Sequence, residues 1–232
     1  MATDTLVKNA RAARTTIALK LSMATSGLVF IGFVLLHMYG NLKAFAGHDA
    51  FNEYAEHLRT FGEPMLPYGG LLWVIRVVLI VCLVVHVASA ASLAARASKA
   101  RPVKYQAKKN KHSSISSRTM RWGGIAILLF LIWHLLNFTI VRINVTGGEN
   151  SDPYNLVVDS FSTWWLTVIY LLAMLALGLH LHHGTWSALQ TLGLTNSARS
   201  RKLAKSTGLV VAVVIAGGFT LVPLFTLFGV IS

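Results

Sequence analysis

Five apolar runs, each long enough to cross a bilayer, constrain this chain more than any other feature: about Leu21–Phe45, Leu71–Arg96, Trp122–Arg142, Phe161–Trp186 and Thr207–Ile231. A bilayer's hydrocarbon core takes about 20 residues of helix to span. Leucine, valine, isoleucine and alanine fill these runs without the alternation that a membrane β-strand needs. A helix satisfies its own backbone groups in lipid. The sequence therefore predicts an all-α membrane protein, a bundle of five transmembrane helices forming one domain over residues 1–232. Composition agrees, since only 12% of residues are charged, against about 25% in soluble domains. The polar opening MATDTLVKNARAARTTIALK is too long for a simple signal peptide. No small-residue cleavage site follows the first run, which is expected to stay as a helix.

The net charge of +13 would suit nucleic acid, but its distribution argues against that partner. Basic residues collect in three segments. The N-terminus has Lys8, Arg11, Arg14 and Lys20, and the second connection has Arg96, Lys99, Arg101, Lys104, Lys108, Lys109, Lys111, Arg118 and Arg121. The fourth connection adds Arg199, Arg201, Lys202 and Lys205, making 17 of the 21 basic residues on one side. Seven of the eight acidic residues fall on the other side: Asp49, Glu53, Glu56, Glu63, Glu149, Asp152 and Asp159. The positive-inside rule predicts a cytoplasmic N-terminus and an outer C-terminus. The basic rim then suits anionic membrane lipid or an acidic cytoplasmic partner. The single cysteine, Cys82, lies in an apolar run and cannot supply the ligand set of an iron–sulfur centre.

His37, His86, His134 and His180 fall one in each of the first four runs. A lone intramembrane histidine is often a hydrogen-bonded packing residue. Polar groups at this depth are costly, however, and usually functional. At 1.5 Å per residue, His37 lies about 24 Å and His134 about 18 Å above the inner end of its helix, His86 about 15 Å and His180 about 9 Å. Two outer histidines, His37 and His134, are thus expected to pair, and two inner ones, His86 and His180. Two imidazoles from different helices would fill both axial positions of a haem iron. The small residues Gly27, Gly32, Ala88, Ser89, Gly123, Gly124 and Gly178 would make room for a flat macrocycle, although such residues also serve close helix packing. Zinc would want four ligands around one point, and a histidine proton relay without haem is a further alternative.

Four segments together resemble a known family: SGLVFIGFVLLHMYGNL around His37, VVHVASAASLAAR around His86, LLFLIWHLLNF around His134 and GLHLHHGTWSALQTLGL around His180. The chain resembles, over nearly its whole length, the cytochrome b membrane anchor of succinate dehydrogenases and fumarate reductases, in its five-helix, dihaem, single-polypeptide form. The resemblance implies two b haems, menaquinone or ubiquinone as substrate, and flavoprotein and iron–sulfur partner subunits. It also implies a multi-pass protein of the bacterial cell membrane. The pattern selects His180 among its neighbours, because Gly184, Trp186 and Gly193 fit its offsets only from that residue. His182 is rotated by about 200° from His180, while His183 returns to nearly the same face.

The outer segment HDAFNEYAEHLRTFGEP offers His48, Glu53, Glu56, His57 and Glu63 beside the outer pair. The family's glutamate at its outer quinone site points to Glu56 as proton donor, with Glu63 second. A solvated amphipathic helix is the plainer reading of the segment. Arg76 would either snorkel to the interface or pair with a haem propionate. The competing functions are the dihaem anchor of another respiratory dehydrogenase, such as a hydrogenase or formate dehydrogenase, and a non-haem membrane protein such as a transporter.

Overall fold

The computed structural model describes residues 15–100, 115–148 and 151–232. Lys8, Arg11, Arg14, Arg101, Lys104, Lys108, Lys109, Lys111 and Glu149 lie outside the described residues. Within them the chain is helical, without strands: α1 Thr16–Leu42, α2 His48–Thr60, α3 Gly70–Lys99, α4 Ile115–Leu135, α5 Pro153–Ser162, α6 Trp164–Thr191 and α7 Ala198–Leu227. A 3₁₀ turn over Lys43–Ala46 extends α1, and a π-turn over Leu136–Ile140 extends α4. Five of these helices (α1, α3, α4, α6 and α7) are long and apolar enough to cross a membrane.

Local sequence sets the ends. Thr15 caps α1 by accepting from the Ala18 N–H at 3.1 Å. Ser197 and Ser200 form a reciprocal capping box on α7, which satisfies amides that a helix start leaves free. Asp152 caps α5 with Pro153 in its first turn, where a missing N–H costs nothing. The expected fifth span, Thr207–Ile231, shifts most, to Ala198–Leu227, and the expected fourth, Phe161–Trp186, is interrupted near its start. Thr163 adopts an extended conformation and separates α5 from α6. The connection before it thus contains a short helix that buries Tyr154, Leu156 and Phe161.

α6 is the central helix and packs against α1, α4, α5 and α7, while α1 also packs against α3 and α7. Two glycines permit close approaches. A Cβ on Gly208 of α7 would lie 2.7 Å from the His182 carbonyl oxygen on α6, and one on Gly40 of α1 would meet the Tyr54 ring at 2.8 Å. Among the described residues, α1 and α4 do not pack extensively, and neither do α3 and α6. These two diagonals of the bundle stay apart. α3 is the least embedded span. It packs on α1 and α2, buries only Ser89, and leaves Trp73, Val77, Ile80, Val81 and Val84 exposed, as suits a helix whose other neighbour is lipid.

The core divides by level. One cluster, toward α2 and α5, gathers Tyr154, Val157, Phe161, Leu166, Tyr170 and Val222. The other gathers Leu181, Ala212 and Ile215.

Candidate functional site

The four histidines meet as two pairs across the two open diagonals. The His37 ring on α1 and the His134 ring on α4 have centroids 5.8 Å apart. The His86 ring on α3 and the His180 ring on α6 have centroids 6.2 Å apart. Three helices measure the separation of these levels. Gly27 of α1 touches the His86 level and His37 lies ten residues on; Gly124 of α4 touches the His180 level and His134 lies ten residues on. Tyr170 of α6 meets His134, and His180 follows ten residues later. Each interval is about 15 Å of helix.

The surroundings of the pairs test whether they fit haem. Two imidazoles that held one metal between them would have to come from different helices and lie within a few ångströms of each other, and each pair does. A Cβ on Gly27 would come within 3.4 Å of His86 Cε1, and one on Gly124 within 3.7 Å of His180 Cε1, so glycine keeps both flanks of the inner pair clear. Nδ1 of His180 is buried without a hydrogen-bond partner, an unusual state for a polar atom that serves packing alone. A cavity of about 320 Å³ between α4 and α6 reaches His180 past Gly123, Ala126 and Ala176. Among the described residues no three His, Cys, Asp or Glu side chains gather at one point. A four-ligand zinc site would need such a gathering.

Hydrogen bonds orient two of the four rings. His86 Nδ1 lies 3.2 Å from Ser26 Oγ, whose hydroxyl donates to the Ser22 carbonyl at 2.7 Å. His134 Nδ1 lies 3.4 Å from the Tyr170 hydroxyl. Tyr170 in turn donates to Asn137 Oδ1 at 2.9 Å, and Asn137 donates to the Ile143 carbonyl at 2.8 Å. His37 stacks on Phe33 with centroids 5.4 Å apart. Ser26, Asn137 and Tyr170 escaped the sequence reading. The available signal was a polar side chain inside each apolar run, one residue from Gly27, three from His134 and ten from His180 respectively.

His182 lies against Gly208 of α7, away from both pairs, and His183 is half-buried. Of the other small residues, Gly178 packs against Ala216 of α7, and Gly32 and Gly123 have no neighbour within 4 Å of an added Cβ.

At the end of the bundle beyond His37 and His134, α2 carries the acidic segment. Glu56 Oε2 accepts from the Tyr68 hydroxyl at 3.0 Å and lies 3.6 Å from Arg59 Nη1. Its side chain is 54% exposed, so it meets solvent while two neighbours fix its direction. Glu63 is exposed, and His57 packs edge-on against Phe61. His48 joins α2 to α5, with Nδ1 2.8 Å from Asp49 and Nε2 2.7 Å from Asp152. Those hydrogen bonds, Asp49's first, raise the His48 pKa above its ordinary value. Burial pushes the Asp152 carboxyl up, but bonds from the Asn155 N–H, Asn52 and His48 outweigh it and leave its pKa lowered. The Arg76 guanidinium lies over the Trp73 ring, 5.1 Å from its centroid, an interfacial contact of the snorkelling kind.

Five apolar helices, four of which bring histidines together at two levels, define a multi-pass membrane protein. The family model for the succinate dehydrogenase/fumarate reductase transmembrane subunit matches residues 97–222, more than half of the chain, and the chain belongs to that family. The matched segment includes His134 and His180; His37 and His86 precede it. No curated protein matches the chain. No solved structure matches it either.

Proposed function

We propose that this chain is the five-helix, dihaem anchor of a bacterial succinate:quinone oxidoreductase, conveying electrons from a cytoplasmic iron–sulfur subunit to quinone near the outer face. The observation that carries the reading is the pair of histidine pairs, at two levels ten residues apart on three helices. His86 and His180 would hold the inner haem, His37 and His134 the outer one. A haem iron with two imidazole ligands is six-coordinate, so it carries single electrons and offers no site to oxygen.

The residues around the centres orient ligands, shape the slots and handle protons. Ser26 and Tyr170 hold the His86 and His134 rings. Gly27 and Gly124 keep the inner slot open. With the N-terminus cytoplasmic and the C-terminus outside, the basic rim faces the flavoprotein and iron–sulfur subunits and the anionic lipid. Menaquinone or ubiquinone is the acceptor, and its reduction takes up protons as well as electrons. Glu56, held by Tyr68 and Arg59 yet open to water, is the proposed donor, with Glu63 second. Electrons leaving an inside-negative cytoplasm move downhill by about 2.3 kcal/mol per charge per 100 mV, which helps a reluctant acceptor. Family membership favours this role over the anchors of hydrogenases or formate dehydrogenases and over a transporter. The test is a reduced-minus-oxidised visible spectrum of the intact complex with succinate as reductant. Two b-type components are expected, and a featureless spectrum would overturn the reading.

A further inference from the structure

The hydrogen bonds behind His134 run in one direction. A backbone carbonyl only accepts, so the Asn137 group 2.8 Å from the Ile143 carbonyl is the amide nitrogen. The same NH₂ donates to Ser160 Oγ at 3.3 Å. Asn137 Oδ1 therefore faces Tyr170 and accepts the tyrosine's single proton at 2.9 Å. With that proton committed, the Tyr170 oxygen has only lone pairs left for His134 Nδ1, 3.4 Å away. Nδ1 must then carry the ring's hydrogen, which leaves the lone pair on Nε2 free for a metal.

The network is built firmly. Asn137 and Ser160 are fully buried and Tyr170 nearly so. Asn137 sits in the π-turn after α4, a wide turn that concentrates at functional sites. Ser160 comes from α5 and Tyr170 from α6, so three elements converge behind one ring. The inner pair has no network that joins several elements. What differs at the inner pair is the reach of the support: Ser26, facing His86, passes its own proton to the Ser22 carbonyl within one helix, and His180 Nδ1 has no partner.

We infer that Tyr170, anchored by Asn137, is the positioning residue of the outer pair, fixing His134 as its Nδ1–H tautomer and setting the outer haem's potential apart from the inner one's. The inference rests on the dihaem reading above. A ring nitrogen that donates a hydrogen bond makes the imidazole a more basic ligand. A more basic ligand favours oxidised iron, so losing the bond raises the potential.

Tyr170→Phe removes the hydroxyl and keeps the ring that packs on Phe130 and Phe161, 4.8 and 5.0 Å between centroids. The experiment is a potentiometric titration of the intact complex, followed by visible and low-spin EPR spectra. Both haem components are expected to persist, with the outer one shifted to higher potential and altered in its EPR signal while the inner one stays put. Asn137→Ala, which leaves the hydroxyl without its anchor, is the second variant. It is expected to shift the outer component in the same direction, and it decides the matter if Tyr170→Phe does not assemble. An outer component that stays put, or equal shifts of both, would overturn the role of Tyr170. A wild-type complex without haem signals would instead overturn the dihaem reading itself.

Discussion

Asp152 ties α2 to α5, and replacing it separates two kinds of interaction at one carboxylate. It accepts from the Tyr154 and Asn155 amides of α5 at 2.8 and 3.0 Å, and from Asn52 of α2 at 3.0 Å. His48 Nε2 adds a fourth bond at 2.7 Å. Replacing an N-cap by alanine costs about 0.5–2 kcal/mol, roughly a 2- to 30-fold change in a local opening equilibrium. Asp152→Ala is therefore expected to speed amide hydrogen exchange at Tyr154 and Asn155 by that factor in the detergent-solubilised complex. Asp152→Asn keeps a capping oxygen and loses only the charge facing His48. That charge contributes little, because His48 is solvent-exposed and water screens the pair. Equal acceleration in both variants would refute the assignment to capping, and so would no acceleration in either.

The same contact has a pH signature. His48 has a raised pKa, so its contribution is complete below the ordinary value of 6.5 and fades as pH climbs through the raised one. Asp152 has a lowered pKa, so its contribution is complete above the ordinary 3.8 and fades as pH falls through the lowered one. After correction for intrinsic exchange, protection at α5 should form a plateau between those two ordinary values and fall only slightly on both sides, in keeping with the small effect expected of Asp152→Asn.

Two further outcomes test the electron route and the basic rim. Glu56→Gln should leave both haem components and succinate-to-dye activity intact while quinone reduction is lost, and an uncoupler should slow succinate oxidation by intact cells. If the variant is silent and the uncoupler has no effect, quinone is reduced on the inner side. Charge reversal at Lys108, Lys109 and Lys111 should weaken assembly with the catalytic subunits, more so at high salt, where the remaining exposed charges are further screened. Assembly unchanged at every salt concentration would assign the rim to lipid and topology.

The helices and the histidine levels were legible because both follow from local quantities. A run of valine, leucine and alanine from Leu71 onward declares a spanning helix without reference to any partner. A fixed rise per residue then places His86 level with His180 and His37 level with His134. The rotation of His182 away from His180 follows from the same geometry, and its contact with Gly208 is where that rotation leads. Hidden from the sequence were contacts that depend on how helices turn about their axes. Asn137 and Tyr170 lie 33 residues apart, and only the tertiary fold makes one the partner of the other. Asp152 ahead of Pro153 is a readable helix start, but its bonds to Asn52 and His48 span 100 and 104 residues. The break at Thr163 was partly hidden for a related reason. Asp159, Ser160 and Ser162 before it mark the edge of a span, but only the tertiary fold shows that α5 packs its own apolar face against α2 and α7.

The central claim is that four histidines form two separate axial pairs, and single replacements read by reduced-minus-oxidised spectra of the intact complex test it directly. Replacing His86 or His180 by alanine should remove one and the same spectral component. Replacing His37 or His134 should remove the other, and replacing His182 should remove neither. The account is contradicted if the His86 and His134 variants lose the same component, or if the His182 variant loses a haem.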